Sequence, residues 1–128
     1  MKTFLPLCLA IILNCAYSQA QHVYFTLEPT LTPDASTIIF SQHGDLWQVP
    51  TTGGTATRLT AMEGEERRPS VSPDGKWLAF SNNQLGNRDI YIMPMSGGDI
   101  KQLTYHDSND DVDSWSWDSQ SIYFTSGR

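Results

Sequence analysis

Short apolar runs separated by turn residues fill this chain from about residue 27 onward. Trp77-Leu78-Ala79-Phe80 is apolar without alternation, the pattern of a strand covered on both faces. Asp89-Ile90-Tyr91-Ile92-Met93 is rich in β-branched and aromatic residues, as strands are. Arg68-Pro69-Ser70-Val71 precedes these two, and Ile100-Lys101-Gln102-Leu103-Thr104, more polar, fits an outer strand. The joints are turn sequences. In Ser72-Pro73-Asp74-Gly75 the proline fixes φ, the aspartate bonds its own turn and the glycine accepts positive φ. Gly97-Gly98 marks another turn, and no helical periodicity occurs after residue 20.

The same order of elements is written twice, and a third copy begins. The first copy runs Thr32-Pro33-Asp34, Thr37-Ile38-Ile39-Phe40-Ser41, Asp45-Leu46-Trp47-Gln48-Val49-Pro50, Gly53-Gly54, Thr57-Arg58-Leu59-Thr60. The third starts at Ser116-Trp117-Asp118 and reaches Phe124-Thr125. Asp34 to Asp74 and Phe40 to Phe80 are both 40 residues apart, whereas Asp45 to Asp89 and Gly53 to Gly97 are 44. The second copy therefore carries four extra residues between Ser81 and Asp89, where a hairpin loop tolerates length at little entropic cost. Ala35 and Ser119 stand where Gly75 stands in the second copy.

Four strand signals per copy at this period predict the blades of a β-propeller, in which four to eight sheets are arranged radially. The expected fold is all-β: about two and a half four-stranded antiparallel blades of an incomplete propeller. Blade 1 covers about 27–60, blade 2 about 68–104 and the half blade 3 about 113–128. Phe40, Phe80, Trp77, Ile38 and Leu78 are expected to be buried, and the hairpin from Asn82 to Arg88 exposed. A sheet with an unpaired edge and an uncovered face favours association.

Residues 1–20 read as a signal peptide. Lys2 supplies the positive start, Leu5 to Leu13 the apolar stretch, and Ser18-Gln19-Ala20 the small residues of a cleavage site. That stretch is short for a bilayer span, so no membrane insertion is expected after cleavage. Cys8 and Cys15 leave with it, so residues 21–128 fold without disulfides in an exported, periplasmic or extracellular setting. The remainder holds seven basic and fourteen acidic residues, which argues against nucleic acid and anionic membranes as partners.

Ser-Pro-Asp-Gly-Lys-Trp-Leu-Ala-Phe at 72–80, with Asp89-Ile90-Tyr91-Ile92-Met93-Pro94, Gly97-Gly98 and Gln102-Leu103-Thr104, resembles the WD40-like Pro-Asp repeat of TolB-type propellers. Gly44-Asp45-Leu46-Trp47-Gln48-Val49-Pro50, Gln102-Leu103-Thr104-Tyr105-His106 and Ser114-Trp115-Ser116-Trp117-Asp118 are similar to the amino-terminal propeller of secreted tricorn-like serine peptidases. The resemblance covers residues 29–128. It implies a propeller that screens or channels peptides toward a separate peptidase domain, whose nucleophile lies outside these residues.

Each candidate site has a structural reading beside it. The polar run His106-Asp107-Ser108-Asn109-Asp110-Asp111-Val112-Asp113 offers oxygens for Ca²⁺ but lacks EF-hand order, and a solvated connection between blades is the favoured reading. Asp45 and Asp89 recur with the repeat, so they are read as bonding backbone amides at a hairpin end. Asp34, Asp74 and Asp118 serve turns. Trp47 and Trp77 lie within apolar strands and read as packing between blades, Trp115 and Trp117 straddle the third turn with one of them expected to be partly exposed, and a sugar- or peptide-binding set of the four is the less favoured reading. Glu63-Gly64-Glu65-Glu66-Arg67-Arg68 reads as a soluble linker.

His22, His43 and His106 sit in no nucleophile or zinc context, and no Gly-x-Ser-x-Gly elbow is present. The sequence thus assigns no catalytic, cofactor-binding or metal residue, and no cofactor. Two roles fit. One is a peptide- or protein-binding, substrate-gating scaffold joined to further blades and a peptidase domain. The other is a TolB-like periplasmic interaction module with no associated enzyme.

Overall fold

The computed structural model describes residues 27–128 as ten strands in three antiparallel sheets. β1 (Leu27–Leu31), β2 (Thr37–Gln42), β3 (Asp45–Pro50) and β4 (Thr57–Arg58) pair in that order. β5 (Glu66–Val71), β6 (Trp77–Asn82), β7 (Asp89–Pro94) and β8 (Lys101–Gln102) make the second sheet. β9 (Asp110–Trp115) and β10 (Ile122–Ser126) form a two-stranded third. This is the all-β architecture of partial propeller blades that the repeat predicts. The signal-peptide segment and His22 lie outside the described residues. Among those described, no helix is long and apolar enough to cross a membrane.

The repeat is exact at the level of register. Phe40 faces Trp47 as Phe80 faces Tyr91, and Gln42 faces Asp45 as Asn82 faces Asp89. β1 packs beside β5, and β5 beside β9, while β4 and β8 pack on β3 and β7. The first strands therefore gather at the axis and the sheets fan outward from it. Each first strand breaks register near its middle: between Leu27 and Thr30, between Arg67 and Ser70, and opposite Tyr123 and Phe124. A bulge twists a strand and re-aims its side chains, so the axial strands are bent at one level.

The turns from first to second strand share one set of bonds. Asp34, Asp74 and Asp118 each accept from a hydroxyl two residues back at 2.6 Å (Thr32, Ser72, Ser116) and from a backbone N–H two residues on at 3.1 Å. Those hydroxyls, before any other cause, hold the three carboxyls below the usual aspartate value. Ala35 and Ser119 keep the left-handed backbone of Gly75, with φ of 55°, 60° and 71° respectively. Successive turns also touch: Asp74 N–H donates to Ser119 Oγ at 3.1 Å, and a Cβ on Gly75 would meet Pro33 at 3.8 Å.

The core lies between sheets. Ile39 and Leu46 of the first blade meet Leu78, Phe80, Tyr91 and Met93 of the second, and Phe80 stacks on Tyr91 with centroids 5.9 Å apart. Ala79 and Ile90 point the other way, onto Val112 of the third sheet. β6 is thus buried on both faces from Leu78 to Asn82, as its unbroken apolar run requires.

Three expectations need correction. Phe40, Leu78 and Phe80 are buried, but Trp77 is 37% exposed and Ile38 half-buried, because both sit at the start of their strands, at the sheet rim. The hairpin after β6 is not a free loop: Asn82 is buried, Asn83, Gln84, Asn87 and Arg88 are half-buried, and only Leu85 and Gly86 of the stretch are exposed. Its amides clasp the linkers on both sides. Asn82 Nδ2 donates to Glu63 O (3.0 Å), Asn83 Oδ1 accepts from Glu65 N–H (2.7 Å), and Asn87 Nδ2 donates to His106 O (2.7 Å). Polar residues satisfied by loop backbone can be buried as readily as apolar ones.

Candidate functional site on the axial strands

The bulges of β1 and β5 put Glu28 and Arg68 in the left-handed region, with φ of 54° and 50°. This turns their side chains along the axial wall. Glu28 Oε2 accepts from the Arg68 backbone N–H at 2.7 Å, and its Oε1 lies 4.0 Å from the Arg68 guanidinium. The guanidinium also donates to Asp113 Oδ1 at 3.2 Å, and Asp113 Oδ2 accepts from Thr125 at 2.7 Å. One cation therefore sits between two anions, one residue from each blade. All three are more than a third exposed, so each pair adds well under about 1 kcal/mol of stability. Their clearer consequence is a charge pattern at the rim of a cleft of about 480 Å³, which Pro29, Pro69 and Ser70 also line. The prolines remove two N–H groups from this wall.

Behind that wall, buried acids join the blades. Glu66 opens β5 and Asp110 opens β9, 44 residues apart in the same slot, and both are fully buried. Glu66 accepts from Leu46 N–H (3.0 Å), Met62 N–H (3.2 Å) and, in a very short contact, Thr60 Oγ1. Burial, the largest influence, pushes its carboxyl above the usual value against those three donors, and nearby Asp45 adds to the rise. Asp110 differs. Burial again is the largest single influence and acts upward, yet Ser126, Arg128 and Thr104 together hold it below the usual value. Arg128 Nη2 reaches Asp110 Oδ2 at 2.8 Å, while Asp110 Oδ1 and Ser126 Oγ are buried with no bond of good geometry among the described residues. Next to it, Asp111 takes a two-bond grip from Arg88 at 2.7 and 2.8 Å, which is what chiefly lowers its pKa.

Residues 25–128 match the family model of the tricorn protease N-terminal β-propeller domain. The chain belongs to that family. The tricorn protease homolog 1 of Streptomyces coelicolor is 32% identical over 73 residues, covering 57% of this chain and 7% of that protein. Among solved structures, TolB from Acinetobacter baumannii superposes with a TM-score of 0.73 at 29% identity, over 81% of this chain and 27% of the other. The tricorn protease itself gives 0.66 at 15% identity, over 84% of this chain and 11% of its own, a likeness of fold alone. The chain spans only a small share of each of these proteins.

In this tricorn-type propeller the sequence-predicted positions scatter by role. Among the described residues, Asp45 and Asp89 bond side chains of the outer strand and the chain after it, not the hairpin amides expected of them. Asp45 pairs with Arg58 at 3.2 Å, and Asp89 accepts from Gln102 and Thr104 at 3.1 Å each, so both tie the third strand to the chain around the fourth. The run from His106 to Asp113 is a loop only as far as Asn109; from Asp110 it is β9. Asp110, Asp111 and Asp113 take separate partners, and no group of three or more potential metal ligands gathers among the described residues.

The tryptophans divide. Trp115 donates to Ser70 O at 2.9 Å across the blades and Trp47 to Gln42 O at 3.1 Å, whereas Trp117 is 96% exposed on its turn. His43 lies in the β2–β3 hairpin and His106 in the loop before β9. Sequence reasoning missed Glu66 by reading it as soluble linker. Its signal was an acid recurring 44 residues later at Asp110, in step with the repeat.

Proposed function

We propose that this segment binds and screens peptides as part of the amino-terminal propeller of an exported tricorn-like serine peptidase, with the chemistry residing in a peptidase domain elsewhere. The observation that carries the reading is the axial row: three first strands side by side, with Glu28, Arg68 and Asp113 alternating in charge along an open cleft. A peptide crossing such a wall meets fixed charges that select by sign and change the rate of encounter more than the affinity. Membership of the tricorn propeller family supports this role. Export to the periplasm or beyond rests on Lys2, the Leu5 to Leu13 stretch and Ser18-Gln19-Ala20.

A second reading, a TolB-like module that binds a partner protein, is favoured by the higher structural likeness to TolB. The test is binding of labelled acidic and basic peptides to the purified chain and to Arg68→Glu. The gating reading expects the variant to lose acidic peptides and gain basic ones, each by about tenfold or less. Equal binding of both peptides to both proteins overturns it. Retention of a folded partner protein, with no peptide retained, favours the second reading.

A further inference from the structure

One backbone bond closes both seams between blades: Glu66 N–H donates to Gly44 O at 2.8 Å, and Asp110 N–H to Arg88 O at 2.7 Å. Gly44 and Arg88 are the same position of the repeat, 44 residues apart, and so are Arg67 and Asp111. In the second seam the chain satisfies this pair of positions itself. Arg88 reaches from the hairpin and takes both oxygens of Asp111, at 2.7 and 2.8 Å. In the first seam the cation stands on the other side. Arg67 occupies the place of the carboxylate, and Gly44, facing it, has no side chain. None could be added there without strain, since φ is 88° and a Cβ would stand 3.3 Å from Gly64 O.

The result is a cleft of about 280 Å³, walled by Ser41, His43 and Gly44 of blade 1 and by Gly64, Glu65 and Arg67 of the chain entering blade 2. Both blades beside it have their four paired strands. Among the described residues the ion pair of Arg67 is with Glu65, Nε to Oε2 at 3.3 Å, and both partners are more than two-fifths exposed. That is one loose contact where Arg88 makes two short ones.

We infer that this cleft is a binding site for a carboxylate, which takes the guanidinium of Arg67 as Asp111 takes that of Arg88. The ligand supplies the anion that the second seam draws from its own chain. A guanidinium fork matches a carboxylate with two parallel N–H···O bonds, and so small a cleft admits one end group or one side chain. Two sources present that group: the free end of a peptide, and an aspartate or glutamate side chain. Glu65 is the rival for the same guanidinium, so it sets how tightly the ligand is held. The cleft shares no lining residue with the axial one and does not depend on the role given to it.

The test uses the 128-residue chain and three probes. Acetyl-dialanine carries its carboxylate at the chain end, the α-amide of acetyl-glutamic acid carries it on the side chain, and acetyl-dialanine amide has none. Binding is read from the backbone amide NMR shifts of Gly44, Gly64 and Glu65. The expected result is saturable shifts with the two carboxylates and none with the amide, the tighter carboxylate identifying the source. Arg67→Gln weakens that probe at least about tenfold, the worth of a hydrogen bond to a charged group. Arg67→Lys weakens it less, because the charge remains without the fork. Glu65→Gln tightens it about twofold, the worth of an exposed ion pair. Lys101→Gln, which removes a positive charge from the exposed outer strand of blade 2, leaves it unchanged. Arg67 and Glu65 are exposed, so their variants keep the fold, which unshifted amides at Leu78 and Phe80 report. Equal shifts from the amide probe, undiminished binding by Arg67→Gln, or no saturable shift with either carboxylate overturns the inference. So does an equal loss in Lys101→Gln, which would mean attraction by net charge alone.

Discussion

Phe80→Ala is the sharpest test of the claim that the core sits between blades. Phe80 is fully buried on the central strand of the second sheet and packs against Ile39 and Leu46 of the first. Burying such a ring contributes about 1.5–3 kcal/mol by transfer alone, and Phe→Ala truncations cost about 3–5 kcal/mol once the cavity is included. Where a site falls in that range depends on how far it can collapse. Here collapse is restricted. β6 is held by a neighbour on each edge, and Tyr91, the stacked ring, is tethered by Gln84 Nε2 to its hydroxyl at 3.0 Å. The stacked pair itself is worth about 0.5–1.5 kcal/mol beyond area. The loss is therefore expected near the top of the range, about 4–5 kcal/mol. That is a large share of the roughly 5–15 kcal/mol typical of a domain. Urea unfolding followed by tryptophan fluorescence measures it, with the slope of the transition checked for constancy. A loss below about 2 kcal/mol, the level of a site that collapses freely, would refute an inter-blade core centred on this ring.

The pH dependence should separate the two buried-acid neighbourhoods. Glu66 has a raised folded value, so its contribution is full below the ordinary glutamate value of 4.5 and is lost as pH rises through the folded one; Glu66→Gln should flatten that limb. Asp111 is depressed by Arg88, so its contribution is present above the ordinary 3.8 and lost as pH falls; Asp111→Asn should flatten the acid limb. Urea midpoints measured from about pH 3 to about pH 8 check both signs. Two glycines make a matched pair. Gly53→Ala meets nothing within 4 Å and should cost about 1–2 kcal/mol from its positive φ alone. Gly64→Ala would put a Cβ 2.6 Å from Asn83 Oδ1 and 2.7 Å from Gln84 N, so its thermal midpoint should fall clearly further; equal shifts would mean that the hairpin does not press on the linker.

What was legible was whatever the chain repeats locally. The turn aspartates, the strand order and the two-faced burial of β6 follow from residues adjacent in sequence, where local geometry leaves few alternatives. What was not legible depends on who sits across a seam. Asn82 to Arg88 has loop composition, and nothing in its own residues says that two linkers present carbonyls and an amide to it. Glu66 sits in a run of charges and reads as solvated until the amides of Leu46 and Met62 are seen to point at it. The axial ion row was hidden for the same reason: Glu28, Arg68 and Asp113 lie in three different copies, and bulges, which no composition announces, bring them together.

The contact between successive turns has a consequence for how the copies diverge. The residue in the slot of Gly75 is judged by the preceding blade, since Pro33 lies against Gly75, and Ser119 holds the Asp74 amide. A copy is therefore not free to drift alone. Added bulk in that slot has to be taken up by the turn before it, some 45 residues earlier: Ser119 stands in the slot in the third copy while Pro73 is kept, and its hydroxyl is accommodated by accepting from the Asp74 N–H. Descendants of this chain should carry paired substitutions at that spacing, a correlation arising from neighbouring turns that press on one another.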